Sequence, residues 1–214
     1  MKLFLDTANL KEIKEIAALG LLDGITTNPS LLAKEGKVEP KKHLQAICKM
    51  VNGPVSMEVF ATDFEGMVKE GREYSKWAEN IVVKVPLTAD GLRAVQALKA
   101  EGIPTNVTLV FSANQALLAA KAGAAMVSPF IGRLDEAGQD GMTVVAEIME
   151  IFYNYGFETE VLVASVRHPR HVTEAAQLGA HIATLNYDIF KKLVGHPLTT
   201  AGLEKFAADW KQRK

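Results

Sequence analysis

Cysteine is almost missing from this chain of 214 residues. Cys48 stands alone, so no disulfide within the chain and no cysteine-rich metal site can form, and a reducing compartment suits it. An excess of either charge is missing too. Twenty-four basic against twenty-five acidic residues leave a formal net charge of −1, so no global field recruits nucleic acid or an anionic membrane surface. Any anionic ligand has to be met locally. Nowhere do about 18 apolar residues run together. The N-terminal Met1-Lys2-Leu3-Phe4-Leu5-Asp6 meets a carboxylate after three apolar residues. Neither a membrane span nor a targeting segment is expected, and a cytoplasmic setting follows. Low-complexity tracts and Pro/Ser-rich linkers are lacking, which with 48% hydrophobic residues excludes disordered and fibrous classes.

What is present is an alternation. Short β-branched or apolar runs recur at 3–5, 24–26, 55–59, 81–85, 105–110, 125–130, 161–164 and 182–184. Helical spacing fills the stretches 10–19, 41–51, 64–77, 92–99, 114–121, 142–152, 169–178 and 188–193. Strand–helix units of roughly 25 residues predict a parallel sheet with its helices outside, closed as a minimal (β/α)8 barrel. An open doubly wound sheet usually carries a Gly-rich phosphate loop after its first strand, whereas Asp6-Thr7-Ala8-Asn9 stands there. The barrel is expected over 1–198. A further amphipathic helix over 199–214 places Leu203, Phe206, Ala207 and Trp210 on one face, to pack on its own or a neighbouring subunit.

Strand parity then locates a polar cluster. Side chains alternate between the helices and the barrel axis. With Ile81, Val83 and Val85 outward, Lys84 points to the axis; with Val55, Met57 and Val59 outward, Ser56 and Glu58 do the same. Phe4 and Asp6, Asn106 and Thr108, and Ser128 and Phe130 share that parity, with Val107 and Leu109 turned outward. Strand two ends in Thr26 and Asn28. On strand seven, Val161, Val163, Ser165 and Arg167 fall on one parity, taken as axial. All these chemical residues lie toward the carboxyl ends of their strands, where barrel enzymes build their sites. Each alone has a plain structural reading, as buried ion pair, backbone partner or core. Together they point to function, because desolvation makes buried ion pairs poor stabilisers.

Of the eighteen lysines only Lys84 interrupts a β-branched strand. A lysine attacks a carbonyl as the free amine, forming an imine that acts as an electron sink for cleavage of a neighbouring C–C bond. Burial disfavours its ammonium form and nearby carboxylates favour it. Carboxylates also suit the proton traffic that the chemistry needs. Asn28, Asn106, Thr108 and Ser128 offer donors and acceptors to sugar hydroxyls, and Arg133, Ser165 and Arg167 suit a phosphate near a helix N-terminus. Among the five histidines only His168 and His171 share helical spacing. They are expected to meet phosphate or solvent, and no metal is expected.

Asp23-Gly24-Ile25-Thr26-Thr27-Asn28-Pro29-Ser30-Leu31-Leu32 and Ile81-Val82-Val83-Lys84-Val85-Pro86-Leu87-Thr88 resemble the two signature segments of the short transaldolase family. Phe4-Leu5-Asp6-Thr7-Ala8-Asn9, Thr105-Asn106-Val107-Thr108-Leu109-Val110-Phe111-Ser112 and Ser128-Pro129-Phe130-Ile131-Gly132-Arg133 match as well. The resemblance implies a Schiff base on Lys84, with Asp6 taking the sugar hydroxyl proton. It implies that Glu58 works through a water held with Thr108. Asn28, Asn106 and Ser128 would hold the three-carbon fragment, and Arg133, Ser165 and Arg167 the phosphate. It implies transfer of dihydroxyacetone between ketose and aldose phosphates of the pentose phosphate pathway, without cofactor or metal. Short members are similar in forming pentameric rings or decamers, with the last helix reaching a neighbour.

The same family holds fructose-6-phosphate aldolases, which release free dihydroxyacetone and carry Gln and Tyr where this chain has Glu58 and Phe130. Both positions here resemble the transaldolase branch. A phenylalanine removes one proton donor near the enamine and so favours its retention. Two alternatives stay open, the aldolase and a non-catalytic sugar-phosphate-binding barrel that has no use for a buried amine.

Overall fold

The computed structural model describes residues 1–213. Eight parallel strands close a barrel in chain order: β1 (Lys2–Asp6), β2 (Gly24–Thr26), β3 (Val55–Glu58), β4 (Ile81–Pro86), β5 (Thr105–Val110), β6 (Met126–Pro129), β7 (Glu160–Val163) and β8 (Ile182–Leu185), with β8 pairing back to β1. Around them lie α1 (Leu10–Ala17), α2 (Pro29–Lys34), α3 (Pro40–Met50), α4 (Phe64–Tyr74), α5 (Ala89–Ala100), α6 (Ala113–Ala122), α7 (Ile131–Glu136), α8 (Gly141–Tyr155), α9 (Pro169–Gln177) and α10 (Tyr187–Val194), followed by α11 (Pro197–Lys211). The expected (β/α)8 architecture is the observed one.

Two helices escape the periodicity. α2 and α7 have six residues each, too few to show an apolar repeat, yet they follow β2 and β6 and carry Asn28 at the cap of one and Arg133 within the other. α11 begins before the expected Thr199, and Lys214 lies outside the described residues. No residue of α11 is buried; Leu203, Phe206 and Trp210 are 64%, 69% and 68% exposed. Among the described residues no helix is long and apolar enough to cross a membrane.

Side-chain caps fix the end of the barrel that matters. Asn9, Asn28, Asp63, Thr88, Ser112 and Asn186 each accept a backbone N–H at the start of the helix that leaves β1, β2, β3, β4, β5 and β8. Each cap satisfies an otherwise orphaned donor and pins one βα loop, at about 1 kcal/mol apiece.

Two separate cores result. Outward strand residues such as Ile25, Met57, Val83 and Val107 pack beneath the helices. Inside the barrel, Phe4, Val82, Met126, Leu162, Ala164 and Ile182 make an apolar floor. Phe4 fills it by taking the space beside Gly24, where a Cβ would lie 2.5 Å from the ring. Above the floor the register sets polar axial residues side by side: Asp6 against Thr26, Glu58 against Lys84, and Lys84 against Asn106.

Two parity expectations fail, and for one reason. On β7 the outward residues are Val161 and Val163, which join the helix-facing core, while Leu162 and Ala164 face the axis. Ser165 then adopts a left-handed backbone with φ 61°, which breaks the alternation and brings Ser165 and Arg167 to the mouth by another route. On β5, Leu109 has φ 59°, and the register to β6 shifts between Val107 and Val110. Leu109 therefore faces the mouth beside Glu58 and Lys84, and Val110 takes the outward place. Positive φ is costly in non-glycine residues and collects at functional sites. Both instances here border the polar cluster.

Candidate active site

The centre of the mouth is Lys84, 4% exposed, at the middle of an otherwise apolar β4. Its Nζ lies 3.1 Å from Glu58 Oε2 and donates to the Thr27 carbonyl at 3.2 Å. Nζ is thus held by one carboxylate and one backbone oxygen, and the Phe130 ring centre lies 5.9 Å away. Lys84 shares a cavity of about 130 Å³ with Asp6, Thr26, Asn28, Ser128, Phe130, Arg133, Ser165 and Arg167. A wider adjoining cavity of about 510 Å³ adds Glu58, Leu109 and Lys34. Of the twelve side chains expected at the site, ten line one or both cavities.

Asp6 is held from one side only. Thr26 Oγ1 donates to Asp6 Oδ1 at 2.7 Å and itself pairs with Thr184 Oγ1 at 2.6 Å. Since Thr26 has one hydroxyl proton and spends it on the carboxylate, Thr184 is the donor in that second bond. Burial pushes the Asp6 carboxyl above its ordinary value, against the opposing pull of Lys84, the Thr26 hydroxyl and the more distant Lys34 and Arg167. A carboxyl shifted this way is a better proton acceptor than an ordinary aspartate.

Asn106 and Thr108, both fully buried, stand behind the cavity wall rather than in it. Ser128 Oγ donates to Asn106 Oδ1 at 2.7 Å, and Asn106 Nδ2 donates to Ser56 Oγ at 3.1 Å. Asn106 thereby takes the Ser128 hydroxyl proton and leaves the Oγ lone pairs unspent. Asn28 is likewise oriented: its Oδ1 caps α2 through the Leu31 N–H at 2.9 Å, which leaves the Nδ2 hydrogens for the cavity. Thr108 Oγ1 and Ser165 Oγ are buried with no protein partner among the described residues. Buried hydroxyls are nearly always satisfied, so both are positions where a bound water or ligand atom fits.

The arginines come from the far side. Arg133 on α7 stacks over Phe130 with 5.0 Å between its guanidinium carbon and the ring centre. Arg167 bonds Glu136 Oε1 through Nε at 2.9 Å and through an Nη at 2.8 Å. Gly132 allows the approach of these two segments; its N–H donates to the Ser165 carbonyl at 3.1 Å, and a Cβ would lie 2.1 Å from that oxygen.

The sequence reading missed Thr184 and Leu109 in the lining. Thr184 shares the axial parity of Ile182 at the end of β8, a signal that parity carries; Leu109 depends on a backbone twist that parity does not encode. The two histidines differ from expectation. His171 is buried and pairs with Asp135 rather than meeting phosphate or solvent, while His168 stacks on it with 3.7 Å between ring centres. Among the described residues no three His, Cys, Asp or Glu side chains converge so as to hold a metal ion.

Fold and mouth together define a class, the (β/α)8 barrels whose C-terminal end encloses a buried lysine among carboxylates. Comparison with known families narrows it. The model of the family described as transaldolase/fructose-6-phosphate aldolase matches residues 3–214, and the chain belongs to that family. It is 63% identical over 210 residues to a probable transaldolase of Methanococcus maripaludis strain C7, covering 98% of this chain and 97% of that protein. Identity is 61% over 210 residues to a probable transaldolase of Methanococcus vannielii, with the same coverage. A probable transaldolase of Anaeromyxobacter sp. strain K is 60% identical over 212 residues, 99% of this chain and 97% of its own length.

Proposed function

We propose that the chain is a transaldolase that moves a dihydroxyacetone unit from fructose 6-phosphate or sedoheptulose 7-phosphate to glyceraldehyde 3-phosphate or erythrose 4-phosphate. The observation that carries this reading is Lys84, enclosed in the mouth 3.1 Å from Glu58 and sharing a cavity with Asp6. The amine adds to the ketose carbonyl, and the carbinolamine loses water to form an iminium. Glu58, beside the amine, exchanges the protons of this step through a water also held by the unpartnered Thr108 hydroxyl. Asp6 then takes the proton of the C4 hydroxyl. The C3–C4 bond breaks, its electrons pass into the iminium, and the aldehyde phosphate leaves. An enamine of three carbons stays on Lys84. When a second aldehyde phosphate enters, the enamine carbon attacks it, Asp6 returns the proton to the new hydroxyl, and hydrolysis frees the amine.

The handles fit this scheme. Thr26 orients Asp6; Asn28 and Ser128, the latter set by Asn106, meet the hydroxyls of the three-carbon unit; Arg133, Ser165 and Arg167 receive the phosphate. Phe130 covers the lysine without offering a proton, which supports retention of the enamine over release. The exposed apolar residues of α11 support a homo-oligomer, a pentamer or decamer, in which that helix meets a neighbouring subunit. A cytoplasmic setting fits the lone buried cysteine.

The test supplies fructose 6-phosphate with and without erythrose 4-phosphate. Sedoheptulose 7-phosphate formed only with the acceptor is the expected result. Free dihydroxyacetone released without acceptor would make the protein an aldolase, and binding without either product would leave a sugar-phosphate-binding barrel.

A further inference from the structure

The turn that presents Arg167 rests on a group that the reaction scheme leaves unused. His171, 5% exposed at the third residue of α9, lies beneath that turn. Its Nδ1 accepts the backbone N–H of Arg167 at 3.4 Å, and its Nε2 lies 3.1 Å from Asp135 Oδ2. A ring nitrogen that accepts an amide N–H carries no hydrogen, so the proton is on Nε2 and donates to Asp135. A third-position side chain reaching back to a backbone N–H ahead of the helix repeats the logic of a capping box, with imidazole in the place of Glu or Gln. His168, the N-cap residue, makes no side-chain cap bond.

We propose that His171 is the positioning residue of the phosphate subsite: its unprotonated Nδ1 fixes the Arg167 amide and so holds the left-handed Ser165 and the Arg167 guanidinium in place for the anion. This deepens the transaldolase reading and rests on it for the identity of the anion. A turn with φ 61° at serine persists only if its surroundings over-determine it. Here the Ser165 carbonyl is held by the Gly132 N–H, the Arg167 amide by His171, and the Arg167 side chain by Glu136. Two adjacent carboxylates of α7 act in parallel, Asp135 on the imidazole and Glu136 on the guanidinium.

The arrangement is sensitive to pH. Around His171 stand Asp135 and Glu136 from α7, Asp140 at the start of α8, Arg167 and His168 from the preceding loop, and Glu174 on α9 itself. On α10, which also packs on α9, Lys191 engages Tyr187 and Glu15. Burial first, then His168, pushes the imidazole below its ordinary value against Asp135 and Glu174. It is therefore neutral at pH 7. When it protonates, Nδ1 becomes a donor facing a donor, the Arg167 amide loses its acceptor, and anion binding weakens although the site has gained positive charge.

Sulfate is the suitable probe, because it stays a dianion across the range in which sugar phosphates titrate. Its affinity is measured by calorimetry on the whole protein, on H171N and on H171F, at about pH 8 and at a pH below the midpoint that the His171 ring signals themselves show by NMR. Asparagine puts an oxygen near the place of Nδ1 and does not titrate. In the parent, affinity falls at least about threefold toward low pH; in H171N it does not fall; H171F binds about tenfold more weakly than the parent at about pH 8 and shows no such fall, the loss of one bond that holds a charged contact. The KM for fructose 6-phosphate follows the same order, with kcat changed by less than about twofold. Parent affinity that stays level or rises on acidification through that midpoint, or a parallel fall in H171N, overturns the proposal, and so does H171F binding like the parent at about pH 8. Should H171F fail to fold, the contrast between parent and H171N decides. Sulfate binding needs no turnover, so failure of the transaldolase assay and failure of this inference are separately visible.

Discussion

Gly132→Ala tests how the mouth is assembled. An added Cβ would lie 2.1 Å from the Ser165 carbonyl oxygen, 2.7 Å from Arg167 Cγ and 2.9 Å from Arg167 Nε. Ordinary contacts begin beyond about 3 Å, so the two segments have to separate by about 1 Å, and a packed interior has little slack for that. α7 is anchored by the buried Ile131 and Leu134, whereas Arg167 is exposed, so the 165–167 turn is the part that moves. Forced overpacking costs ~1–3 kcal/mol, which in a domain of this size lowers Tm by roughly 2–10 °C. The displaced turn carries the guanidinium away from the phosphate. One charge-assisted contact is worth ~1.5–3 kcal/mol, so the KM for fructose 6-phosphate should rise roughly ten- to a hundredfold. The assay compares kcat and KM for fructose 6-phosphate and for plain fructose, beside Arg167→Ala as the reference for complete loss of that side chain. The alanine variant should approach that reference and leave turnover of plain fructose nearly unchanged. A KM for the phosphorylated sugar equal to the parent's would refute the close approach as the device that sets the turn; an equal loss for both sugars would move the damage from the phosphate end to the lysine.

Asp6→Asn should abolish turnover and raise Tm. Its carboxyl sits above the ordinary value, so folding favours the protonated form; that contribution is full below the unfolded value and is lost as pH rises through the folded one. The neutral amide avoids the penalty at pH 7, and an unchanged or lower Tm in thermal melts would contradict the burial argument. Glu58→Gln combined with Phe130→Tyr should shift products from sedoheptulose 7-phosphate toward free dihydroxyacetone by at least about tenfold in ratio, since an unprotonated enamine is what separates transfer from release. An unchanged ratio by chromatography would remove the role given to that pair. Thr184→Val keeps the volume but takes away the donor to Thr26, and should lower kcat by about three- to tenfold with KM nearly constant; a loss confined to KM would place Thr184 in substrate binding instead.

How much of this was legible in sequence depends on what the backbone does between residues. Where strands are regular, parity sufficed: Asp6, Glu58, Lys84 and Asn106 lie on the axis as alternation requires, because a one-residue slip in β4 would have turned Ile81, Val83 and Val85 inward and driven Lys84 beneath the helices. At Leu109 and Ser165 alternation failed, since a single left-handed residue reverses the side from there on and nothing in a Leu or Ser announces it. Arg133 and Arg167 were found at the right mouth without their geometry, because six-residue α7 shows no period. Parity offers Asn106 and Thr108 as direct handles, and burial sets them one layer back. His171, beside Arg167 and Pro169, is expected at phosphate or solvent; its bond to Asp135, over thirty residues earlier on α7, holds it inward instead, and sequence spacing does not show that pairing.

The most direct test of the central claim adds borohydride to the protein with fructose 6-phosphate and reads the site of reduction by peptide mass. A lysine that captures the ketone and keeps three of its carbons after cleavage should yield a stable three-carbon adduct on Lys84, absent from Lys84→Met. Turnover without any adduct there, or an adduct on another lysine that supports the same turnover in Lys84→Met, would contradict the account.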